Sequence, residues 1–311
     1  MAKYSVEDRL IWLNGEIVHV KDAKINVLSP TSQFGLNVFE GIPCYWNEEQ
    51  QKLYAFRLDA HYKRLQQSAK LLEIECPYSP EEMKRALIEV VNANEYHEDI
   101  SVRQTLFVDG FGSWSSKNPV GMFIAPIPRK RTSAEYNKEG LNCCISSWQR
   151  IDDISLSPRI KCGANYINSR MAQLEALRNG YDTTIILNSR GKVSEGPGSC
   201  LFIVRDGKLA TPLITDSVLE SITRDTVIKI AHKMGIVVKE RTIDRTELYM
   251  CDEIFLCGSA MEIKPVLSVD KHIVGSGECG EITNRFRNVY LKIVRGQSSF
   301  NNSWLDIIVE G

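Results

Sequence analysis

Pro158-Arg159-Ile160-Lys161-Cys162-Gly163-Ala164-Asn165-Tyr166 sets a lysine between a loop of small residues and the first turn of a helix. Two later stretches give that lysine its context. Ser194-Glu195-Gly196-Pro197-Gly198 puts an acid beside tightly turned backbone. Ser221-Ile222-Thr223-Arg224-Asp225 has the form of a helix start, where unpaired N–H groups and the positive dipole end favour an anion.

The bulk properties narrow the setting. A length of 311 residues predicts about two domains, each able to bury its own core. Hydrophobic content of 43% and charged content of 25% are those of an ordinary globular protein, and a net charge of -1 gives no reason to expect a nucleic-acid or membrane partner. The opening Met1-Ala2-Lys3-Tyr4-Ser5-Val6-Glu7-Asp8-Arg9 is too charged for a signal peptide. No apolar run reaches the roughly 20 residues that span a bilayer. Nine cysteines without regular spacing and five histidines without a His-x-x-x-His pair argue against zinc or a disulfide framework. Reduced cysteines in a cytoplasm are expected, with Cys162 a small packing residue.

Asn14-Gly15 between Ile11–Leu13 and Glu16–Val20 predicts a hairpin, because both turn positions need positive φ. Lys52–Phe56 reads as a strand. From Leu58 a helix follows, with Leu58, Tyr62, Leu65, Ala69 and Leu72 on its inner face. Ser79-Pro80-Glu81-Glu82 starts another helix with a capping-box pattern, and strands are expected near Ser101–Val108 and Gly121–Ile127. Pro126-Ile127-Pro128-Arg129-Lys130-Arg131 breaks the pattern, so the division expected is a small α/β domain at 1–127, an interdomain loop at 128–137 and a larger domain at 138–311. In that larger part a strand near Asn142–Ser147 precedes a helix with Ile167, Met171, Leu174 and Leu177 inward, ended by Gly180. Hairpin-like segments are expected at Thr183–Leu187 with Ser189-Arg190-Gly191 after it, and at Leu201–Val204 and Lys208–Ala210 around Asp206-Gly207, with helices over Ile222–Met234 and Glu281–Val294. Glu253–Cys257 is expected as the last core strand. Strands and helices mix without regular βαβ alternation, which predicts an α+β fold.

A lysine amine, a buried carboxylate and an anion cradle together are what a pyridoxal phosphate site requires. The aldehyde needs an amine that is neutral at working pH, which partial desolvation beside other cations provides. Glu195 beside glycines suits a flat ring, and pairing with a protonated ring nitrogen would keep the ring an electron sink. Arg57, at a strand end, suits a phosphate bidentately. Gly258-Ser259-Ala260 can present consecutive N–H groups to a carboxylate. Arg103, inside an apolar strand, would be costly to bury without an anion. Each feature has a plainer reading: a loop lysine, a turn, a helix cap, a surface or structural ion pair.

Taken jointly they resemble the class IV, or branched-chain-amino-acid type, pyridoxal-phosphate aminotransferases of fold type IV. The matching stretches are Phe39-Glu40-Gly41, Phe56-Arg57 with Arg64-Leu65, Val102-Arg103, Lys161 with Asn165-Tyr166, Ser194-Glu195-Gly196, Ile222-Thr223-Arg224-Asp225 and Gly258-Ser259-Ala260-Met261-Glu262-Ile263. The resemblance implies a two-domain α+β fold with mixed or antiparallel sheets, a pseudobarrel-like larger domain that binds the cofactor, and a homodimer or higher assembly. It implies that Lys161 binds the cofactor aldehyde and moves a proton between substrate Cα and C4′. Glu195 would pair with the ring nitrogen and Tyr166 with the phenolic oxygen. Arg57, Ile222, Thr223 and Ser259 would hold the phosphate. Ser259 and Ala260 would take the substrate α-carboxylate and Arg103 a distal one, with Phe39 and Gly41 beside the substrate. No metal is implied.

The activity implied is transfer of an amino group from a branched-chain or related aliphatic L-amino acid to 2-oxoglutarate. A D-amino-acid or amine transaminase, or an aminodeoxychorismate-lyase-like enzyme, is the alternative on the same fold. The chain departs from the branched-chain pattern at Phe34, Ser101, Cys200, Ser221 and the Arg129-Lys130-Arg131 loop. Those departures predict a shift towards a more polar or acidic amino donor.

Overall fold

The computed structural model of the chain describes residues 8–129, 140–300 and 302–310. Its contacts separate two units, Met1–Arg131 with Ile160–Ala164 and Lys292–Gly311, and Thr132–Arg159 with Asn165–Leu291.

The first unit is built on one seven-stranded sheet. β1 (Leu10–Leu13) and β2 (Glu16–His19) form the expected hairpin, with Asn14 at φ 51° and Gly15 at φ 105°. α1 (Pro30–Phe34) is one short helix capped by the Ser29 hydroxyl. β3 (Asn37–Asn47) is the long central strand, between β4 (Lys52–Phe56) and β5 (Ile100–Val108), and β6 (Val120–Pro128) follows β5. β3 carries Gly41 and Pro43 and a charged residue on its inner face, so its alternation is weak in sequence. α2 (Leu58–Leu71) lays Leu58, Tyr62, Leu65 and Ala69 on the sheet, and Leu72 follows partly buried. Each of the buried leucines contributes about 1.5–3 kcal/mol. α3 (Pro80–Ala93) begins with a complete capping box: Glu82 N donates to Ser79 Oγ at 3.2 Å and Ser79 N donates to Glu82 Oε2 at 2.8 Å.

The second unit contains a nine-stranded mixed sheet. Its members are β7 (Leu141–Gln149), β8 (Thr183–Leu187), β9 (Val193–Glu195), β10 (Cys200–Arg205), β11 (Lys208–Thr211), β12 (Val238–Glu240), β13 (Glu253–Gly258), β14 (Glu262–Val269) and β15 (His272–Ile273). β7 runs parallel to both β8 and β14, and β11 parallel to β12, while the remaining pairs are antiparallel. Gly196 and Ser199 bridge across the β9–β10 turn, so the sheet curls until β9 meets β10. Two helices of this unit are α4 (Asn165–Arg178) and α5 (Ile222–Lys233). α6 (Glu281–Val294) begins in this unit, and the count of the first unit resumes at Lys292. The last strand, β16 (Leu305–Glu310), pairs antiparallel with β4.

Four expectations need correction. The inner face of α4 is not Ile167, Met171, Leu174 and Leu177: Ile167 is 63% and Leu177 53% exposed, and the buried residues are Asn165, Ser169, Ala172 and Ala176. Small side chains let α4 lie close on β7 and β8, and the large apolar ones point away. Glu253–Cys257 is not the last core strand, because β14 follows it, and Pro265 together with the positive φ of Glu262 hid β14 from a pattern reading. The stretch 138–311 is not one contiguous domain. Ile160–Ala164 belongs to the first unit through the Val38–Cys162 bridge, and the chain end belongs to it through β16. Arg103 is exposed, so no anion is needed to offset its burial. Most of the expected 128–137 loop, including Lys130 and Arg131, lies outside the described residues.

Candidate active site

In the first unit Lys161 is fixed at its backbone. Its N–H donates to Ser68 Oγ on α2 at 3.1 Å, and its carbonyl accepts from Phe39 N on β3 at 3.0 Å. The next residues extend that strand-like contact through Cys162, while Gly163 N donates to Asn37 Oδ1 at 3.2 Å. A Cβ on Gly163 would lie 2.9 Å from Asn37 Oδ1, so a larger residue there would displace the side chain that accepts this bond. With its main chain held on both sides, the lysine carries its amine over the Phe39 ring, 4.8 Å from the centroid. The Arg103 guanidinium stacks on the same ring at 4.1 Å. Strand pairing sets Gly41 opposite Arg103, and the two-residue alternation puts Phe39, Gly41, Ser101 and Arg103 on one face of the sheet. Sequence reasoning named Phe39, Gly41, Lys161 and Arg103 separately; the structure brings them together.

Arg57 closes β4 and caps α2 from the left-handed region at φ 54°. Its N–H donates to Trp304 O at 2.7 Å and its guanidinium stacks over the Trp304 ring at 5.0 Å. A non-glycine residue held there is strained, and such strain accumulates where a side chain must be aimed.

Behind β3 lies a buried cluster to which the sequence reading assigned no role. Glu40 accepts from Arg64 Nε and Nη2, each at 2.7 Å, and meets His61 Nδ1 at 2.7 Å. Burial pushes the Glu40 carboxyl up, but Arg64 and His61 outweigh it and hold the carboxyl well below the usual range. Burial lowers His61, and the Arg64 and Lys161 cations add to it against the raising effect of Glu40. Neutral His61 then donates from Nδ1, and its buried Nε2 has no hydrogen-bond partner among the described residues. His61, Arg64 and Ser68 lie on one face of α2, so the cluster and the bond to Lys161 share a helix.

The second unit holds the acid and the anion cradle. Glu195 ends β9 and is 4% exposed. Oε1 accepts from Arg150 Nε at 2.8 Å; Oε2 accepts from Leu219 N at 3.2 Å and lies 3.8 Å from the Cys200 thiol. Leu219 leads into α5, so the carboxylate tethers the segment that delivers this helix. Ser221 caps α5 by accepting from Arg224 N at 3.2 Å, and Ile222 and Thr223 are buried in the first turn. Ser259 and Ala260 follow β13. Before them, a Cβ on Gly258 would lie 3.1 Å from Gly198 O, so the Gly196–Ser199 turn and the end of β13 lie close together. Ser199 Oγ beside them is buried without a hydrogen-bond partner among the described residues. Tyr166, in the first turn of α4, is 37% exposed.

The departures from the family pattern find places too. Phe34 ends α1 and is 44% exposed. Ser101 is partly buried opposite Pro43 and Ile127, and the Arg129 guanidinium lies 5.1 Å from the Tyr45 ring centroid. Among the described residues no group of three potential metal ligands occurs, and no helix is long and apolar enough to cross a membrane.

In the second unit the buried carboxylate and the capped helix start suit a basic ring nitrogen and a phosphate, and in the first unit the fixed amine suits an aldehyde. Known proteins point the same way. The family model for amino-transferase class IV matches residues 37–269. A probable branched-chain-amino-acid aminotransferase of Aquifex aeolicus is 38% identical over 295 residues, covering 94% of this chain and 95% of its own. The branched-chain aminotransferase of Thermoproteus uzoniensis, solved with norvaline, superposes with a TM-score of 0.91 at 39% identity, over 97% of this chain and 99% of that one. That of Thermobaculum terrenum, solved in its pyridoxal-phosphate form, gives a TM-score of 0.92 at 40% identity, over 98% and 100%.

Proposed function

The chain belongs to the class IV aminotransferases, and on that premise we propose that it moves the amino group of a branched-chain or related aliphatic L-amino acid to 2-oxoglutarate, with pyridoxal 5′-phosphate as cofactor. The bound cofactor supplies an electron sink for charge developing at the substrate Cα. The observation that carries the reading is Lys161, main chain bonded on both sides and amine set over Phe39 beside Arg103.

Each remaining role belongs to a residue of this chain. Lys161 Nζ would hold the cofactor aldehyde and, once the substrate amine has displaced it, would be the free base that takes the proton from substrate Cα. Glu195, whose carboxylate oxygens accept from Leu219 and Arg150, would pair with the ring nitrogen, and Tyr166 would hydrogen-bond the phenolic oxygen. Thr223, Ser259 and the backbone of Ile222, with Arg57, would hold the phosphate. The N–H groups of Ser259 and Ala260 orient the α-carboxylate, Arg103 receives the distal carboxylate of glutamate, and Phe39 and Gly41 border the substrate. Ser101, Phe34 and Arg129 set which donor side chain is admitted, and the active protein is a homodimer or higher assembly in the cytoplasm.

The test is a half-reaction screen: the pyridoxal form is mixed with L- and D-amino acids, and conversion to the pyridoxamine form is followed by absorbance. L-glutamate and aliphatic L-amino acids convert it, and Lys161→Ala removes turnover. Retention of full turnover by Lys161→Ala, or conversion by D-amino acids alone, overturns the proposal. Normal efficiency with leucine, isoleucine and valine would remove the expected shift towards acidic donors while leaving the chemistry in place.

A further inference from the structure

Glu195 is a carboxylate almost without water. Desolvation alone drives such a group towards its neutral acid, and the Leu219 N–H at 3.2 Å and the Cys200 thiol at 3.8 Å are weak donors to it. A strong contact is the Arg150 Nε at 2.8 Å, a charge-assisted bond between two side chains that are 7% and 5% exposed. Arg150 follows β7, and its own placement is over-determined. Its backbone N–H donates to Leu187 O at 2.8 Å and its Nη1 donates to Asn168 Oδ1 at 3.1 Å. Asn168 in turn accepts from Ile151 N at 3.3 Å and donates to Gln149 O at 2.8 Å. The guanidinium is therefore locked at one end by α4, the helix that begins with Tyr166, and presents its other end to Glu195.

We infer that Arg150 is a positioning residue for Glu195, supplying a counter-charge and a bond that help keep this carboxylate ionised and aimed before any cofactor binds. The inference rests on the role proposed above for Glu195 at the ring nitrogen. Preorganisation of this kind spares the site a proton release and a side-chain rearrangement each time the ring enters. Asn168 acts one step further out by holding the guanidinium plane.

The measurement is made on cofactor-free protein carrying ¹³C at the glutamate carboxyl carbon, the Glu195 signal being identified by its loss in Glu195→Gln. Arg150→Gln keeps a neutral donor and removes the charge. It raises the Glu195 titration midpoint by about one unit or more, a tenfold gain in proton affinity. Arg150→Lys raises it less, and Asn168→Ala moves it in the same direction by a smaller amount. A midpoint unchanged in Arg150→Gln overturns the inference; should that variant not fold, an unchanged midpoint in Asn168→Ala does so. The ring-nitrogen role is tested separately in holoenzyme with ¹⁵N in the cofactor ring. A ¹⁵N shift indifferent to Glu195→Gln sinks that role but leaves the Arg150 titration result standing, whereas a responsive ¹⁵N shift beside an unmoved titration sinks the present inference alone.

Discussion

A buried ion cluster such as Glu40–Arg64–His61 makes stability depend on pH in a direction that can be worked out. Glu40 is depressed in the folded state, so its contribution is present above the unfolded carboxyl value of about 4.3 and is lost as pH falls below it. His61 is also depressed, by burial and then by Arg64 and Lys161. The unfolded chain therefore binds the histidine proton first, and stability drops as pH falls through about 6.5. Urea unfolding from about pH 8 to 2.5 should show both losses, the Glu40 one only below about 4.3, and in His61→Gln the earlier one should shrink. An identical slope between about pH 7 and 5 in both proteins would show that His61 is not held neutral. Little of this was legible beforehand. Phe39-Glu40-Gly41 and Arg64 drew notice as a family pattern, but a glutamate within a strand reads as solvent-facing until the helix beneath it is known to supply His61 and Arg64. Arg150 carried no local signal at all, because its partner lies 45 residues away in sequence.

Helices differ in how much of their packing their own sequence announces. In α2 and α3 the inner residues are large and apolar at helical spacing, and the capping box of α3 marks its start. α4 reverses the rule, burying Ser169, Ala172 and Ala176 and exposing Ile167 and Leu177. Enlarging the buried face should therefore hurt more than reducing the exposed one. Ala176→Leu is expected to cost about 1–3 kcal/mol by overpacking against the sheet. Ile167→Ser is expected to cost within about 0.5 kcal/mol. Denaturant unfolding of the two variants checks this, and the opposite ranking would restore the apolar residues as the inner face. Two of the strands that escaped a pattern reading, β3 and β14, share a cause: each contains a proline inside a paired strand, a residue that costs a ladder bond and usually marks an edge.

At the scale of the molecule, the chain end completes the first unit. β16 covers β4, and Ile308 and Val309 are buried, each side chain contributing about 1.5–3 kcal/mol. Deleting residues 305–311 should expose the edge of β4, remove hydrogen-exchange protection from its amides and promote aggregation. Undiminished protection of Leu53–Phe56 in the truncated chain would show that the sheet does not depend on its final strand. Sequence by itself determined the α+β class, the Asn14-Gly15 hairpin, the helices beginning at Leu58, Pro80 and Ile222, and the chemical types at Lys161, Glu195 and Thr223, because turns, caps and periodicity are written in neighbouring residues. Tertiary structure alone decided that Ile160–Ala164 and the last strand join the first unit, that Arg103 stacks on Phe39 in the open, and that Glu195 is met by Arg150. Those outcomes depend on which distant groups desolvate and compensate one another, an energy that exists only once the chain has closed on itself.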